Sequence, residues 1–317
     1  MLGDKDKIDA RRQNLVEKIF QAATILKSTF PDDPPDTLAI FMAPEWYFRP
    51  KTYAYTRKEM LETIQDLIEK SAVGSLRNML IIPGTIFWGE VISKGGIRSS
   101  KVMQVYNCAP VIKNGRILSL VHKLNEADID DKKKEVWGIQ SLEQAAQLSH
   151  QVLADLGQTE GGIDVQGFFE IGDLRFAIDI CKDHSDKRLK QIIKSSIDAE
   201  SDFPDDWTNL SDAAKLQILN AYNAKYRDIH LLTTCGNMER NDGVVAKTGG
   251  YVLRCDGNAS NEQDNRFSAA VKSVELVLRP LSGNIIAKFT SFSDYLLRPQ
   301  ENELDSVHRL FIFSKPL

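Results

Sequence analysis

The spacing of apolar positions along this chain switches between the period of a helix and that of a buried strand. Leu15, Ile19, Phe20, Ala23, Ile25 and Leu26 recur at helical spacing over residues 9–29. The Pro31–Asp36 cluster ends that pattern. Thr37–Ala43, TLAIFMA, is then continuously apolar, as a strand covered on both faces would be. Residues 56–71 return to helical spacing through Met60, Leu61, Ile64, Leu67 and Ile68, and Met79–Thr85 is a second buried strand that closes at Pro83-Gly84. Helix, strand, helix, strand predicts an α/β fold. Val102–Lys113 and Arg116–His122 flank Asn114-Gly115, a strong hairpin signal. Residues 141–158 read as a helix, and 161–175 lead through glycines into the apolar strand Phe176–Ile180. Helices are predicted over 187–197 and 211–226, around the Asp- and Pro-rich Asp202–Asp206. Strands follow at Ile229–Thr234, Tyr251–Cys255 and Val274–Arg279, the last turning through Pro280–Asn284 into Ile285–Thr290. The tail, 291–317, ends in the strand-like run LFIF. With no internal repeat and no low-complexity linker, a single domain over 1–317 is the simplest organisation.

Composition narrows the class. A chain of 317 residues that is 42% hydrophobic and 26% charged is ordinary for a globular protein. The net charge of −4 offers no basic field for nucleic acid. The short basic run Lys132–Lys134 follows Asp128, Asp130 and Asp131 and reads as a solvated loop. No apolar run has the roughly 20 residues of a membrane span, and the first residues lack the apolar core of a signal peptide. Cys108, Cys181, Cys235 and Cys255 lie far apart with no C-x-x-C spacing. That argues against a zinc cluster or a disulfide framework and for a reducing, cytoplasmic setting.

Three strand ends carry chemistry. Cys181 ends the Phe176–Ile180 strand and is followed by the charged run Lys182-Asp183-His184-Ser185-Asp186. A thiol there is held by the sheet while the next amides open into a turn, which suits a nucleophile beside an oxyanion site. A lone cysteine in that place most often only packs. Glu45 ends the Thr37–Ala43 strand among Trp46, Tyr47 and Phe48, where poor solvation is expected to raise a carboxylate toward the range of a general base. Taken alone, a glutamate at a turn is a surface residue. Lys123 ends the second strand of the hairpin. His184 with Asp183 and Asp186 has the residue types of a metal site but not zinc spacing, and reads as a solvated cluster.

Glu45, Lys123 and Cys181, in that order and each at a strand end, resemble the nitrilase, or carbon–nitrogen hydrolase, superfamily. FMAPEWYF is similar to the family's glutamate motif, YNCAPVIKNGRILSLVHK to its Asn-x-Ala, hairpin and lysine element, and GDLRFAIDICKD to its Ile-Cys-x-Asp element. IIPGT and VELVLRPLSGNIIAK resemble further strands, so the likeness covers roughly 10–290. The resemblance implies a four-layer α-β-β-α sandwich in which Cys181 is the nucleophile and Glu45 its base. Lys123 and the amide of Lys182 would hold the oxyanion. A second glutamate is implied after the lysine. Glu135, in Glu135-Val136-Trp137-Gly138, fits its context, with Glu126 and Asp131 as rivals. Trp46, Tyr47, Lys182 and His184 would border the substrate. The implied reaction attacks a small linear amide or carbamoyl compound, forms a thioester and needs no cofactor or metal. Homo-oligomers packed beside the cysteine motif are also implied.

The chain departs from the family pattern in several places. Residues 1–8 are too polar for the usual opening strand. His122 stands where an arginine is expected, Lys182 where an aromatic is common, and His184-Ser185-Asp186 replaces Phe-Pro-Glu. Insertions are expected near 141–160 and 187–226. A nitrile hydrolase, a thioester-based acyltransferase and a non-catalytic binding scaffold share the same residues and stay open.

Overall fold

A computed structural model describes residues 5–29, 37–50, 54–94, 100–126, 135–158, 162–198, 211–213, 224–235, 243–256, 291–297 and 308–314. Helix α1, Lys5–Thr29, precedes strand β1, Thr37–Met42, whose end leads directly to Glu45. After the short β2, Tyr55–Thr56, helix α2 runs Arg57–Ser71. It starts at a capping box: the Thr56 hydroxyl accepts from the Glu59 amide, and the Glu59 carboxylate accepts from the Thr56 amide. Strands β3, Met79–Ile82, β4, Ile86–Lys94, β5, Ser100–Lys113, and β6, Arg116–His122, follow. The β5–β6 hairpin turns where predicted, with φ of 50° at Asn114 and 75° at Gly115, both positive as a type I′ turn requires. Then come β7, Glu135–Trp137, and helix α3, Leu142–Asp155.

Strands β8, Phe168–Ile171, and β9, Leu174–Ile180, form a second hairpin that delivers Cys181. Two helices follow, the one-turn α4, Lys182–Ser185, and α5, Arg188–Asp198. Strands β10, Arg227–Thr234, β11, Ala246–Asp256, β12, Ser291–Leu297, and β13, His308–Ser314, complete the described elements. The predicted strands at Val274–Arg279 and Ile285–Thr290, and most of the predicted helix at 211–226, lie outside the described residues.

The result is a mixed α/β protein with two sheets. The larger runs β12-β13-β1-β3-β5-β4-β2, with β6 and β7 also paired to β5. The smaller runs β11-β10-β9-β8. The LFIF tail is a strand here: β13 pairs antiparallel with β1 over its whole length. Strand β4 escaped the sequence pattern because Gly89 interrupts it; a Cβ there would lie 2.8 Å from the Gln104 carbonyl, so the neighbouring strand requires glycine.

Alternation along each strand sorts its side chains to two cores. Leu38, Ile40 and Met42 of β1 share one apolar cluster with Phe176, Ile178 and Ile180 of β9 and with Ile229 and Leu231 of β10. Ala39 and Phe41, the intervening residues of β1, pack instead with Leu15 and Ile19 of α1 and Met60, Ile64 and Leu67 of α2. Ala177, on the other face of β9, packs with Leu189 and Ile193 of α5. The pairs β1/β3 and β9/β10/β11 are parallel, so their carboxyl ends collect at shared edges, the usual place for a site in such sheets. Among the described residues, no helix is long and apolar enough to cross a membrane.

Candidate functional site

Glu45, Lys123 and Cys181 meet. The Lys123 ammonium lies 3.0 Å from Glu45 Oε1, with both side chains fully shielded from solvent. The Cys181 thiol lies beside the Glu45 carboxylate and the Cys235 backbone amide, close enough for both to act on its charge. The two sheets are joined at this end. Thr233 accepts the Cys181 amide through its carbonyl at 3.0 Å, and its hydroxyl donates to the Ala43 carbonyl at 3.2 Å. The strand that holds the thiol is thereby tied to the strand that holds the carboxylate.

Cys181 sits on a sharp elbow between β9 and α4, with φ 45° and ψ −107°. A non-glycine residue is rarely found there, and such backbones concentrate at functional sites. Burial raises its thiol pKa well above the ordinary range, the negative Glu45 raises it further, and Lys123 only partly opposes them. The resting thiol is therefore neutral, beside the carboxylate. Cys108, by contrast, is buried beside Trp88 inside the larger sheet, and burial, partly opposed by Trp88, pushes it to about 12.

Asn107 is a site residue that sequence reasoning left without a role. Its side-chain amide donates to Glu45 Oε1 at 3.2 Å, and its carbonyl accepts the Lys123 amide at 2.8 Å. It thus holds both members of the ion pair. The available signal was its place as the asparagine of the Asn-x-Ala element. Trp46, at φ 65°, is fixed by its amide donating to Thr85 Oγ1 at 2.9 Å. Its ring faces the Lys123 ammonium at 5.2 Å and the Arg49 guanidinium at 4.2 Å. Trp137 closes the other side, 5.9 Å from Lys123 and donating through its indole N–H to the Leu124 carbonyl at 3.0 Å.

A cleft of about 640 Å³ runs along the residues that follow Lys123 and Cys181. Leu124, Asn125, Glu126, Trp137, Lys182 and Asp186 are among its walls. Lys182 therefore does border a cavity, and so does Glu126. Glu135 opens β7 in register with Met103, and Asp131 lies outside the described residues.

Two candidates do not come to the site. Tyr47 is buried against α1: its hydroxyl donates to the Arg11 carbonyl at 3.0 Å, and the Arg11 guanidinium donates to its carbonyl. His184 and Asp183 are not a solvated cluster, because α4 turns both inward. His184 faces Asp179 of β9 and His230 of β10, and the donor atoms of all three lie within 4.8 Å of one another. That trio is poorly suited to a cation. His230 Nδ1 accepts the Val245 amide at 3.3 Å, so the neutral ring carries its proton on Nε2, which faces Asp179 Oδ2 at 3.6 Å. Burial pushes Asp179 up, but Arg188 at 3.0 Å, with His230 and His184, brings it below its ordinary range.

His122, at the position expected to hold an arginine, bonds Ser149 of α3 at 2.8 Å. Burial, with a smaller effect from Arg57, lowers it to about 3, so it is neutral and anchors α3 to β6.

No protein-family model matches the chain, and no curated protein matches it in sequence. Among solved structures, a glutamine-dependent NAD(+) synthetase from Cytophaga hutchinsonii is similar over 69% of this chain, at 10% identity and a TM-score of 0.30. This chain spans 36% of that protein's length. A likeness that distant says nothing of the activity.

Proposed function

We propose that the protein is a hydrolase of carbon–nitrogen bonds other than peptide bonds, acting on a small linear amide or carbamoyl compound through a cysteine thioester. The observation that carries this reading is the buried convergence of a thiol on an elbow, a carboxylate beside it, and an ammonium 3.0 Å from that carboxylate. The resemblance to the carbon–nitrogen hydrolase superfamily supports it. So do the sheet-to-sheet cluster and the helices packed on each outer face, which suit a four-layer α-β-β-α sandwich.

In this reaction Cys181 Sγ attacks the carbonyl carbon as its proton passes to Glu45. The carbonyl π electrons move to oxygen, where the Lys123 ammonium and the Lys182 amide receive the charge. The C–N bond then breaks, the nitrogen takes the proton from Glu45, and ammonia or an amine leaves a thioester on Cys181. Water, deprotonated by Glu45, attacks that thioester; the C–S bond breaks, the proton returns to sulfur, and the acid departs. Glu135 is the second carboxylate of this reading: its strand pairs with β5, and Trp137, two residues on, faces Lys123. Glu126, in the cleft wall, is its rival, and separate substitution of each decides between them.

The test is ammonia release from a panel of small amides, carbamoyl compounds and nitriles. Cys181→Ala is expected to lower turnover by about 10³-fold or more, as loss of one member of a catalytic unit does. Intact mass should show an acyl adduct on Cys181 in the native protein. Release that persists in the alanine variant overturns the reading. No release from any compound, with no mass gain, favours a binding scaffold.

A further inference from the structure

Lys123 and Cys181 come from different sheets, so something must set the distance between them. The Thr233–Ala43 bond joins the sheets on the Glu45 side. On the Lys123 side, the bridging group is a carboxylate. Asp183, two residues after Cys181, accepts the amides of Leu124 at 3.0 Å and Asn125 at 2.8 Å, the two residues directly after Lys123. We propose that Asp183 is a positioning residue that latches the strand end carrying Lys123 to the elbow carrying Cys181, and so holds the ammonium in place for the oxyanion. This rests on the hydrolase reading above.

Asp183 is fixed from behind. Arg188 approaches it at 3.5 Å and is itself held by Asp179 at 3.0 Å, by the Gln166 carbonyl at 2.9 Å and by the Ile178 carbonyl at 3.1 Å. A guanidinium bonded on so many sides cannot swing away, so the carboxylate it faces keeps its direction. His184 and His230 close the far side of Asp179. The charged groups around the latch are thus Arg188 and Asp179, with the two histidines behind them, and its acceptors face two backbone amides.

Asp183 is fully buried, and burial, with repulsion from Asp179, raises it to about 6 despite Arg188 and the two amides. Ionised at neutral pH, it is a cost to the fold. Removing its charge should therefore not lower stability at pH 7–8, even though the latch is weakened. That separates positioning from mere structure. A residue kept only for the fold would lose stability on substitution and leave turnover per folded molecule unchanged.

The test uses Asp183→Asn and Asp183→Ala in the full chain, with hydrogen exchange at the Leu124 and Asn125 amides as a readout independent of activity. In Asp183→Ala both amides should exchange about tenfold faster or more, the weight of a hydrogen bond to a charged group. In folded Asp183→Asn, kcat should fall about 10²-fold with little change in KM, as a small misplacement near the chemistry does. Its midpoint of unfolding at pH 7.5 should match or exceed that of the native protein. Unchanged exchange at the two amides overturns the proposal, as does kcat within about twofold of native in both variants. Should the native protein show no Cys181-dependent turnover, the hydrolase reading fails by itself, and the exchange rates alone decide for or against the latch.

Discussion

The thiol of Cys181 is hard to ionise where it stands. Burial and Glu45 both favour its protonated form, and the Lys123 ammonium does not outweigh them. In the proposed reaction, proton transfer to Glu45 therefore accompanies attack by sulfur and does not precede it. Glu45→Gln removes the negative charge, the stronger of the two nearby influences on the thiol, and leaves the positive one, so the thiol pKa should fall. Alkylation of Cys181 by a small neutral reagent at pH 8–9 should then speed up, while amide turnover falls for want of a base. Slower or unchanged alkylation in that variant would sink this account of the charge balance. The elbow makes a second prediction. With φ 45° and ψ −107° the backbone suits glycine, and strain of this kind is of order 1–3 kcal/mol. Cys181→Gly should be more stable to urea than Cys181→Ala by about 1 kcal/mol, although both lack the nucleophile. Equal stability would show that the elbow is not strained.

At the scale of elements, the site depends on turns that leave little room for change. Gly84, just after β3, has φ +81°, and a Cβ there would collide with the Pro44 carbonyl. That carbonyl belongs to the turn that presents Glu45. Gly84→Ala must move the turn or adopt a strained backbone, so both the thermal midpoint and the Cys181-dependent turnover should drop. Retention of full turnover would mean that the Glu45 turn tolerates displacement. The capping box at Thr56 makes a useful contrast. Thr56→Ala should cost about 1 kcal/mol of stability, a typical N-cap loss, and leave turnover per folded molecule intact, because the cap fixes the start of α2 on the outer side of the larger sheet.

Over the whole molecule, two buried groups pull acid stability in opposite directions. His122 binds its proton only near 3 in the folded protein, far below the ordinary 6.5 of an imidazole. The unfolded chain takes up that proton first, so stability present above about pH 6.5 is lost as pH falls toward 3. Asp183 acts in reverse. Folded, it keeps its proton up to about 6, so its contribution favours acid and declines as pH rises from about 4 to 6. Between pH 7.5 and 5 the His122 loss starts at the higher pH, near 6.5, and so outweighs the Asp183 gain, which starts near 6; Asp179, held below its ordinary range, adds to the loss only below about pH 4. The net expectation is a lower urea midpoint at pH 5 than at pH 7.5, with a smaller drop in His122→Phe. A variant with the same pH dependence as the native protein would remove His122 from this balance.

What the sequence by itself determined is the central buried strands and what stands at their ends. Runs such as TLAIFMA and FAIDI are continuous because both faces of those strands are covered, and a turn must follow each of them. Glu45, Lys123 and Cys181 were visible for that reason, as was the Asn114-Gly115 hairpin that aims Lys123. Only the tertiary structure decided which side chains share a space. Asp183 and His184 stand in a charged run that reads as solvated, yet α4 folds them beneath α5 and β10, where Asp183 meets amides 58 and 59 residues away. Asp179 is one polar residue in an apolar strand, and its meaning depends on Arg188 and His230 arriving from other elements. Asn107 and Tyr47 diverge for the same reason: one is turned toward Glu45, the other toward α1. Local pattern reports how a residue is covered, whereas the direction of a buried polar group is set by whichever distant partner can satisfy it.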